Sequence, residues 1–239
     1  RCRFDTKRIS SLHGDGRVKT YFGVIWAIVW KDVRLELRTK EIVVSVIVFS
    51  LLVIVIFNFA IEPTPQMVGL IAPGVLWVAF VFGGILGLTR SFVLERENGN
   101  LQGLLLVPVS RDAIFFGKMF ASFIFMTIVE LLVFPVFAII FNLSVIEFGL
   151  IPIAFLATLG ISTVGTLFSA VAANTRAREV MLPLLFLPIA VPVVIAAVES
   201  TATVIGNGDG MFHWLPLLAA YDAIFIVVCA FAFQYVVEE

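Results

Sequence analysis

Long apolar stretches separated by short polar segments dominate this chain. Six of them reach the roughly 20 residues that a helix needs to cross a bilayer. They lie at 42–60, 69–91, 113–141, 149–173, 179–199 and 213–236. Each stretch is continuously apolar and does not alternate, which excludes the strands of a membrane barrel. The pattern predicts an all-α integral membrane protein with six transmembrane helices.

The segment before the first stretch, residues 21–41, mixes apolar and charged positions. Trp26, Trp30, Val33 and Leu37 recur at helical spacing, and charges occupy much of the remaining surface. We expect an amphipathic helix that lies in the cytoplasmic membrane interface, with tryptophan at headgroup depth and basic side chains reaching phosphates. A solvated linker is the alternative.

Composition limits what else the chain can contain. Of 239 residues, 61% are hydrophobic and 14% are charged, which excludes a large water-soluble domain. Residues 1–20 are rich in Lys and Arg and lack apolar periodicity. They are predicted to be a disordered or expression-derived extension, so the six-span domain occupies residues 21–239.

The distribution of charge predicts the orientation in the membrane. If the N-terminus is cytoplasmic, all 16 Lys and Arg residues fall on the cytoplasmic side. The opposite connections carry only acids, at Glu62, at Glu147 and between Glu199 and Asp209. Because translocated segments avoid basic residues, we expect both termini in the cytoplasm.

The connection 92–112 is the densest internal cluster of charge and glycine on that side. Glu95, Arg96 and Glu97 continue the second span beyond the membrane surface, and the turn residues Asn98, Gly99 and Asn100 then end the helix.

A short leucine-lined segment follows within the same connection. Leu101, Leu104 and Leu105 recur at helical spacing, and Ser110 is placed to cap the helix that enters the third span. Such a segment suits a groove on a soluble partner. A solvated connector is the equal alternative.

Two acids lie deep within apolar sequence, Glu130 in the third span and Asp222 in the sixth. A carboxylate there costs several kcal/mol unless it is protonated or paired, so each is a functional candidate. Glu130 precedes Pro135, whose missing N–H frees a carbonyl, so a structural role beside a kink competes with a role at a subunit interface or substrate path. Asp222 is either functional or solvated from a cavity.

Most catalytic chemistry is missing from the sequence. It contains no GxxxxGK[ST] motif, so any ATP dependence requires another polypeptide. No metal-binding pattern or hydrolase set occurs, and Cys2 and Cys229 are badly placed for a disulfide. His213 is a candidate axial haem ligand, although a solvated or capping histidine is the more ordinary interpretation. The chain does not look like an enzyme.

Four motifs resemble the haem exporter protein B family, the permease subunits of the cytochrome c maturation ABC transporter. They are WKDVRLELRTKE at 30–41, IAPGVLW at 71–77, RSFVLERENGNLQGLLLVPVSRDAIFFGK at 90–118 and TRAREVMLPLLFLPIAVPVVIAAV at 175–198. The resemblance extends to the C-terminal QYVVEE and covers all six spans, but not the N-terminal extension.

The resemblance implies an ABC-2-type permease of the bacterial inner membrane, without catalytic activity, acting in haem export or in ATP-driven release of a haem-loaded periplasmic chaperone. It implies a separate cytoplasmic ATPase, haem-handling membrane subunits and a second copy of the chain as partners, no nucleic acid, no bound cofactor, and haem as possible cargo. The coupling element would comprise Glu95, Arg96, Glu97, Gly99, Asn100, Leu101, Leu104 and Leu105.

Two other functions remain open from the residues. A generic ABC-2 exporter of lipid, polysaccharide or drug would share the loop pattern. A proton-coupled secondary transporter would use Glu130 and Asp222 as carriers.

Overall fold

The computed structural model describes residues 17–39, 41–60, 65–97, 110–142, 149–173, 178–206 and 211–236. Within these ranges the chain forms seven helices and no strand. The helices are α1 (Arg17–Thr39), α2 (Glu41–Ala60), α3 (Pro65–Glu97), α4 (Arg111–Ile140), α5 (Leu150–Ala173), α6 (Arg178–Ile205) and α7 (Met211–Val236). Helices α2 to α7 are each long and apolar enough to cross a membrane. The prediction of an all-α protein with six spans is therefore confirmed.

The helix bounds can be compared with the predicted ones at three places. α1 begins at Arg17, so the last four residues of the predicted extension are helical. α3 remains helical from the end of its apolar stretch at Leu88 to Glu97, as the charged triplet predicts. α6 extends past residue 199 to Ile205. The hydroxyl of Ser200 in this added part is satisfied within the helix, since it donates to the carbonyl of Ala196 at 2.7 Å.

Polar contacts at the two ends of the bundle show that α4 runs antiparallel to α7 and parallel to α2. At one end, which we call the loop end because the segment 98–109 joins α3 to α4 there, Arg111 contacts the C-terminal part of α7 at Gln234. At the opposite end, which we call the far end, Asn58 near the end of α2 donates to the carbonyl of Ile140 near the end of α4, at 3.5 Å.

α5 lies at the centre of the bundle, where it contacts α3, α4, α6 and α7. Of its most apolar stretch, 61% of the residues are buried, compared with 22% for α2 and for α7. Small residues allow this central position. A Cβ added at Gly165 would lie 2.4 Å from the end of the Leu88 side chain of α3, so any larger residue would require Leu88 to shift.

Candidate functional site

Most of the predicted coupling element lies outside the described residues. Gly99, Asn100, Leu101, Leu104 and Leu105 fall in the segment 98–109, and the assignment of these five residues stays a prediction. Glu95, Arg96 and Glu97 belong to the last turn of α3. What the structure does describe is how the two ends of this segment join the bundle.

The first turn of α4 is tied to the last turns of α7. The Arg111 guanidinium donates from Nη1 to the carbonyl of Gln234 at 3.2 Å. In return the Gln234 side-chain amide donates to Oδ1 of Asp112. These two bonds connect the start of α4 to the end of α7, two helices that are far apart in sequence.

The Ser110 cap was predicted correctly in position but not in chemistry. Ser110 is the N-cap residue of α4, with φ −63° and ψ 136°, yet its hydroxyl makes no cap hydrogen bond. In a capped helix the Ser110 hydroxyl would accept a hydrogen bond from the backbone N–H of Ala113. Here that N–H donates to the Ser110 carbonyl instead, at 3.0 Å. The Arg111 and Asp112 side chains secure this helix start in place of the cap.

A buried ion pair joins α1 to α4 near the loop end. Lys118 Nζ lies 3.1 Å from Asp32 Oδ2, and the two side chains are only 4% and 10% exposed. Lys31 contacts the other oxygen of Asp32 at 3.0 Å but is 31% exposed. This pairing is not evident from the sequence, because its two partners lie on helices that are far apart along the chain. The structure buries Asp32 and Glu36, so these two acids of α1 do not face water.

The backbones of α1 and α4 approach closely beside this ion pair. A Cβ added at Gly117 would lie 2.9 Å from the Ile28 side chain, so the missing side chain at Gly117 makes room for α1. On the opposite face of α1, Trp26 and Trp30 are 65% and 59% exposed. Their exposure is what an interfacial helix requires, and the placement at headgroup depth stays a prediction.

The first part of α1 also approaches the start of α4. Burial raises the pKa of the Tyr21 hydroxyl above its ordinary value, and the nearby Asp112 carboxylate raises it further. Tyr21 is therefore neutral at physiological pH. Together with the Lys118 pair, this contact means that the beginning of α4 has α1 on one side and α7 on the other.

Glu130 is buried at the wall of a cavity between α3, α4 and α5. The Thr158 hydroxyl of α5, 28 positions away in sequence, donates a hydrogen bond to Glu130 Oε1. This oxygen therefore has a hydrogen-bond partner on a neighbouring helix. The cavity has a volume of about 370 Å³ and also borders Thr201 of α6. Neither the structural role beside the Pro135 kink nor the role at a subunit interface or substrate path is tested by these contacts, and both stay predictions.

Asp222 occupies a different environment from Glu130. Its side chain is 3% exposed, and neither carboxylate oxygen has a hydrogen-bond partner among the described residues. The Asp222 side chain packs against α5 at Gly160, where an added Cβ would lie 2.6 Å from Asp222 Oδ1. Asp222 does not border the cavity beside Glu130, and whether it is functional or solvated from a cavity stays a prediction.

His213 is exposed in the first turn of α7. Among the described residues, no group of three or more His, Cys, Asp or Glu side chains is arranged to hold a metal ion. Haem ligation by His213 stays a prediction.

Comparison with known proteins connects these features to a family. The sequence model of the family described as CcmB protein matches residues 23–239, which include every spanning helix and nearly all of α1. The chain belongs to the CcmB family. Relatives in this family are named Heme exporter protein B.

The relative from Rhodobacter capsulatus is 28% identical over 86% of this chain and 94% of its own length. The one from Bradyrhizobium diazoefficiens is 24% identical over 86% and 93%. The one from Haemophilus influenzae is 29% identical over 71% and 77%. Family membership supports a multi-pass membrane protein that acts in transport, and it does not favour the generic exporter or the secondary transporter.

Proposed function

We propose that this chain is the membrane permease subunit of an ABC transporter that handles haem during cytochrome c maturation. The observation that carries the proposal is the family match over residues 23–239, together with relatives named for haem export that align over nearly their full length. The chain itself would perform no catalysis. A separate cytoplasmic ATPase would supply the energy, because the sequence contains no phosphate-binding GxxxxGK[ST] motif.

The arrangement at the loop end supports a mechanical role for the segment 98–109. The nine residues by which α3 extends past Leu88 correspond to about 14 Å of helix at 1.5 Å per residue. This extension carries Glu95 and Glu97 away from the apolar part of the bundle. An ATPase that pushed the segment sideways would therefore act on a stiff lever continuous with α3.

The connections of α4 would distribute that motion. Its first turn is hydrogen-bonded to α7 through Arg111 and Asp112. About two turns further along α4, Lys118 is paired with Asp32 of α1. A displacement of the loop would thus reach α1, α3, α4 and α7 together. Packed helices respond to such displacements by shifting between discrete arrangements, which is the coupling an ATP-driven permease needs.

The proposal includes the surroundings of the chain. The loop end would face the cytoplasm of a bacterium, because all 16 Lys and Arg residues fall on that side. Haem-handling membrane subunits, a periplasmic haem chaperone reached through them and a second copy of the chain would be its partners. Haem would be cargo rather than a resident cofactor.

Deletion of the gene in its native bacterium tests the proposal. Covalently bound haem in c-type cytochromes, detected by haem staining of denaturing gels, should be lost, while b-type cytochromes in the same membranes should remain. Normal c-type cytochromes in the deletion strain would refute the proposed function.

A double charge reversal tests the coupling assignment separately. Glu95→Lys with Glu97→Lys should abolish c-type cytochrome assembly and co-purification of the ATPase, while the amount of chain in the membrane stays unchanged. Glu41→Lys is the matched control, since Glu41 is exposed at the start of α2 on the same side of the bundle. Wild-type cytochrome yield in the double variant would remove the coupling role from these acids and leave the family assignment intact.

A further inference from the structure

The start of α4 and the end of α7 lie together at the loop end. Arg111 and Asp112 are the first two residues of α4, and Gln234 lies in the last turn of α7, which ends at Val236. α4 begins one residue after the segment 98–109. The contacts that hold its first turn therefore also fix where the chain leaves that segment.

The two helix ends are complementary in charge. The last carbonyls of a helix have no partner within it and carry partial negative charge. Arg111 supplies a partner at the end of α7, because its guanidinium donates to the Gln234 carbonyl at 3.2 Å. The first turn of a helix favours an acid for the opposite reason, and Asp112 occupies this place in α4. Each helix end thus receives the charge that its dipole favours.

Gln234 connects the two helix ends in both directions. Its backbone carbonyl accepts from Arg111, and its side-chain amide donates to Asp112 Oδ1. We call Arg111, Asp112 and Gln234 the clasp. Apolar packing accompanies it, since the rings of Phe115 and Phe233 lie 5.4 Å apart and both side chains are buried. Both polar bonds of the clasp therefore run through one residue of α7.

The clasp takes the place of a local support that α4 lacks. A capping side chain normally satisfies one of the free N–H groups at a helix start. The Ser110 hydroxyl makes no such bond. The position of the first turn of α4 consequently depends on another helix, and the side-chain contact to α7 is made by Gln234.

We propose that Gln234 is a positioning residue for coupling: by holding the first turn of α4 against α7, it sets where the segment 98–109 is presented to the ATPase. The inference deepens the proposed function and rests on it. Gln234 acts through Arg111 and Asp112 and takes no part in catalysis. The end of α7 thereby contributes to the coupling element, although it lies far from that element in sequence.

Reversal of the hydrogen bond tests the proposal. Gln234→Glu keeps the size of the side chain, replaces its donor by an acceptor and places a second negative charge beside Asp112. Gln234→Glu combined with Asp112→Asn restores the bond in the opposite direction, because the Asn amide donates to the new carboxylate. Tyr235→Phe is the matched control, since it removes a polar group from the same turn of α7 at a side chain that is 72% exposed.

Hydrogen exchange of the full chain in phosphatidylcholine nanodiscs measures the clasp itself. In Gln234→Glu, amide exchange in the peptides that contain residues 111–116 and 231–236 should rise about tenfold or more, the scale of a lost hydrogen bond to a charged group. The double variant and Tyr235→Phe should exchange like the parent chain. This measurement needs neither haem nor ATPase, so failure of the clasp is distinguishable from failure of the proposed function.

Cytochrome assembly in the native bacterium measures the positioning. With the amount of chain in the membrane unchanged, Gln234→Glu should lose most of the haem-stained c-type cytochrome, and the double variant should regain it. A residue that only stabilised the bundle would lower the amount of chain instead. Tyr235→Phe should assemble c-type cytochromes like the parent strain.

Three results would overturn the proposal. Parent-like exchange in Gln234→Glu would show that the clasp does not hold the two helix ends together. Increased exchange with normal cytochrome yield would remove the positioning role. Impairment that persists in the double variant would assign the effect to the new charge and not to the lost bond. If Gln234→Glu does not reach the membrane, Gln234→Leu replaces it, because it removes the donor without adding a charge and should increase exchange in the same peptides.

Discussion

The Lys118–Asp32 ion pair should decide whether α1 stays attached to the bundle. At 3.1 Å and an effective dielectric constant of about 20, Coulomb's law gives an attraction of about 5 kcal/mol, which desolvation of both groups opposes. The Lys31–Asp32 contact is as short, at 3.0 Å. Distance alone would therefore make the two lysines equivalent, and only burial distinguishes them.

Lys118→Met and Lys31→Met form a matched pair of variants that share one carboxylate. Removing one partner of a buried pair costs about 3–5 kcal/mol, whereas exposed pairs contribute about 0–1 kcal/mol. Because Asp32 keeps its contact with Lys31 in the first variant, we expect a loss at the lower end, about 3 kcal/mol. Lys31→Met should cost less than about 1 kcal/mol.

The double variant Lys118→Met with Asp32→Leu provides the internal check. Replacing a buried ion pair by apolar side chains of similar volume is often neutral, so the double variant should regain most of the stability lost in Lys118→Met. Unfolding by titration with sodium dodecyl sulfate measures the free energy, and hydrogen exchange of the α1 amides measures local detachment. Equal losses for the two lysine variants, or no recovery in the double variant, would refute the argument from burial.

Three further substitutions are predicted from single contacts, each measured by the same detergent unfolding titration. Gly117→Val should cost about 1–3 kcal/mol and increase α1 exchange, because its Cβ would lie 2.9 Å from Ile28; wild-type exchange would contradict the close approach. Thr158→Val should cost about 1–3 kcal/mol by leaving the Glu130 carboxyl without its donor, and combining it with Glu130→Leu should remove that cost. Asp222→Asn should change stability by less than about 1 kcal/mol, since neither oxygen makes a hydrogen bond among the described residues; a loss of about 3 kcal/mol or more would reveal a charged partner.

The six spans could be predicted because a membrane makes each helix depend mainly on its own sequence. A run of about 20 apolar residues satisfies its backbone internally wherever its neighbours lie. The extension of α3 to Glu97 followed in the same way from the charged triplet and turn signal. The sequence also shows which acids lie within the spans, because Glu130 and Asp222 are each surrounded by apolar residues. Both are buried in the structure.

The partners of polar residues could not be predicted, because they lie on other helices. Asp32 and Lys118 are 86 positions apart, and nothing in the pattern of α1 distinguishes Asp32 from the charges that face outward. Thr158 pairs with Glu130 across the packing of α4 on α5. The cavity likewise depends on how four helices pack, and no single one of their sequences predicts it.

The central position of α5 also argues against a proton relay between the two deep acids. Glu130 meets α5 at Thr158, and Asp222 meets it at Gly160. Residues two positions apart point about 200° away from each other around a helix of 3.6 residues per turn. The acids therefore approach opposite sides of α5, and of the two only Glu130 borders the cavity between α3, α4, α5 and α6. A direct relay needs the two carboxyl groups within hydrogen-bond reach of each other, and neither oxygen of Asp222 has a hydrogen-bond partner among the described residues. Within the described residues, α5 thus separates Glu130 from Asp222.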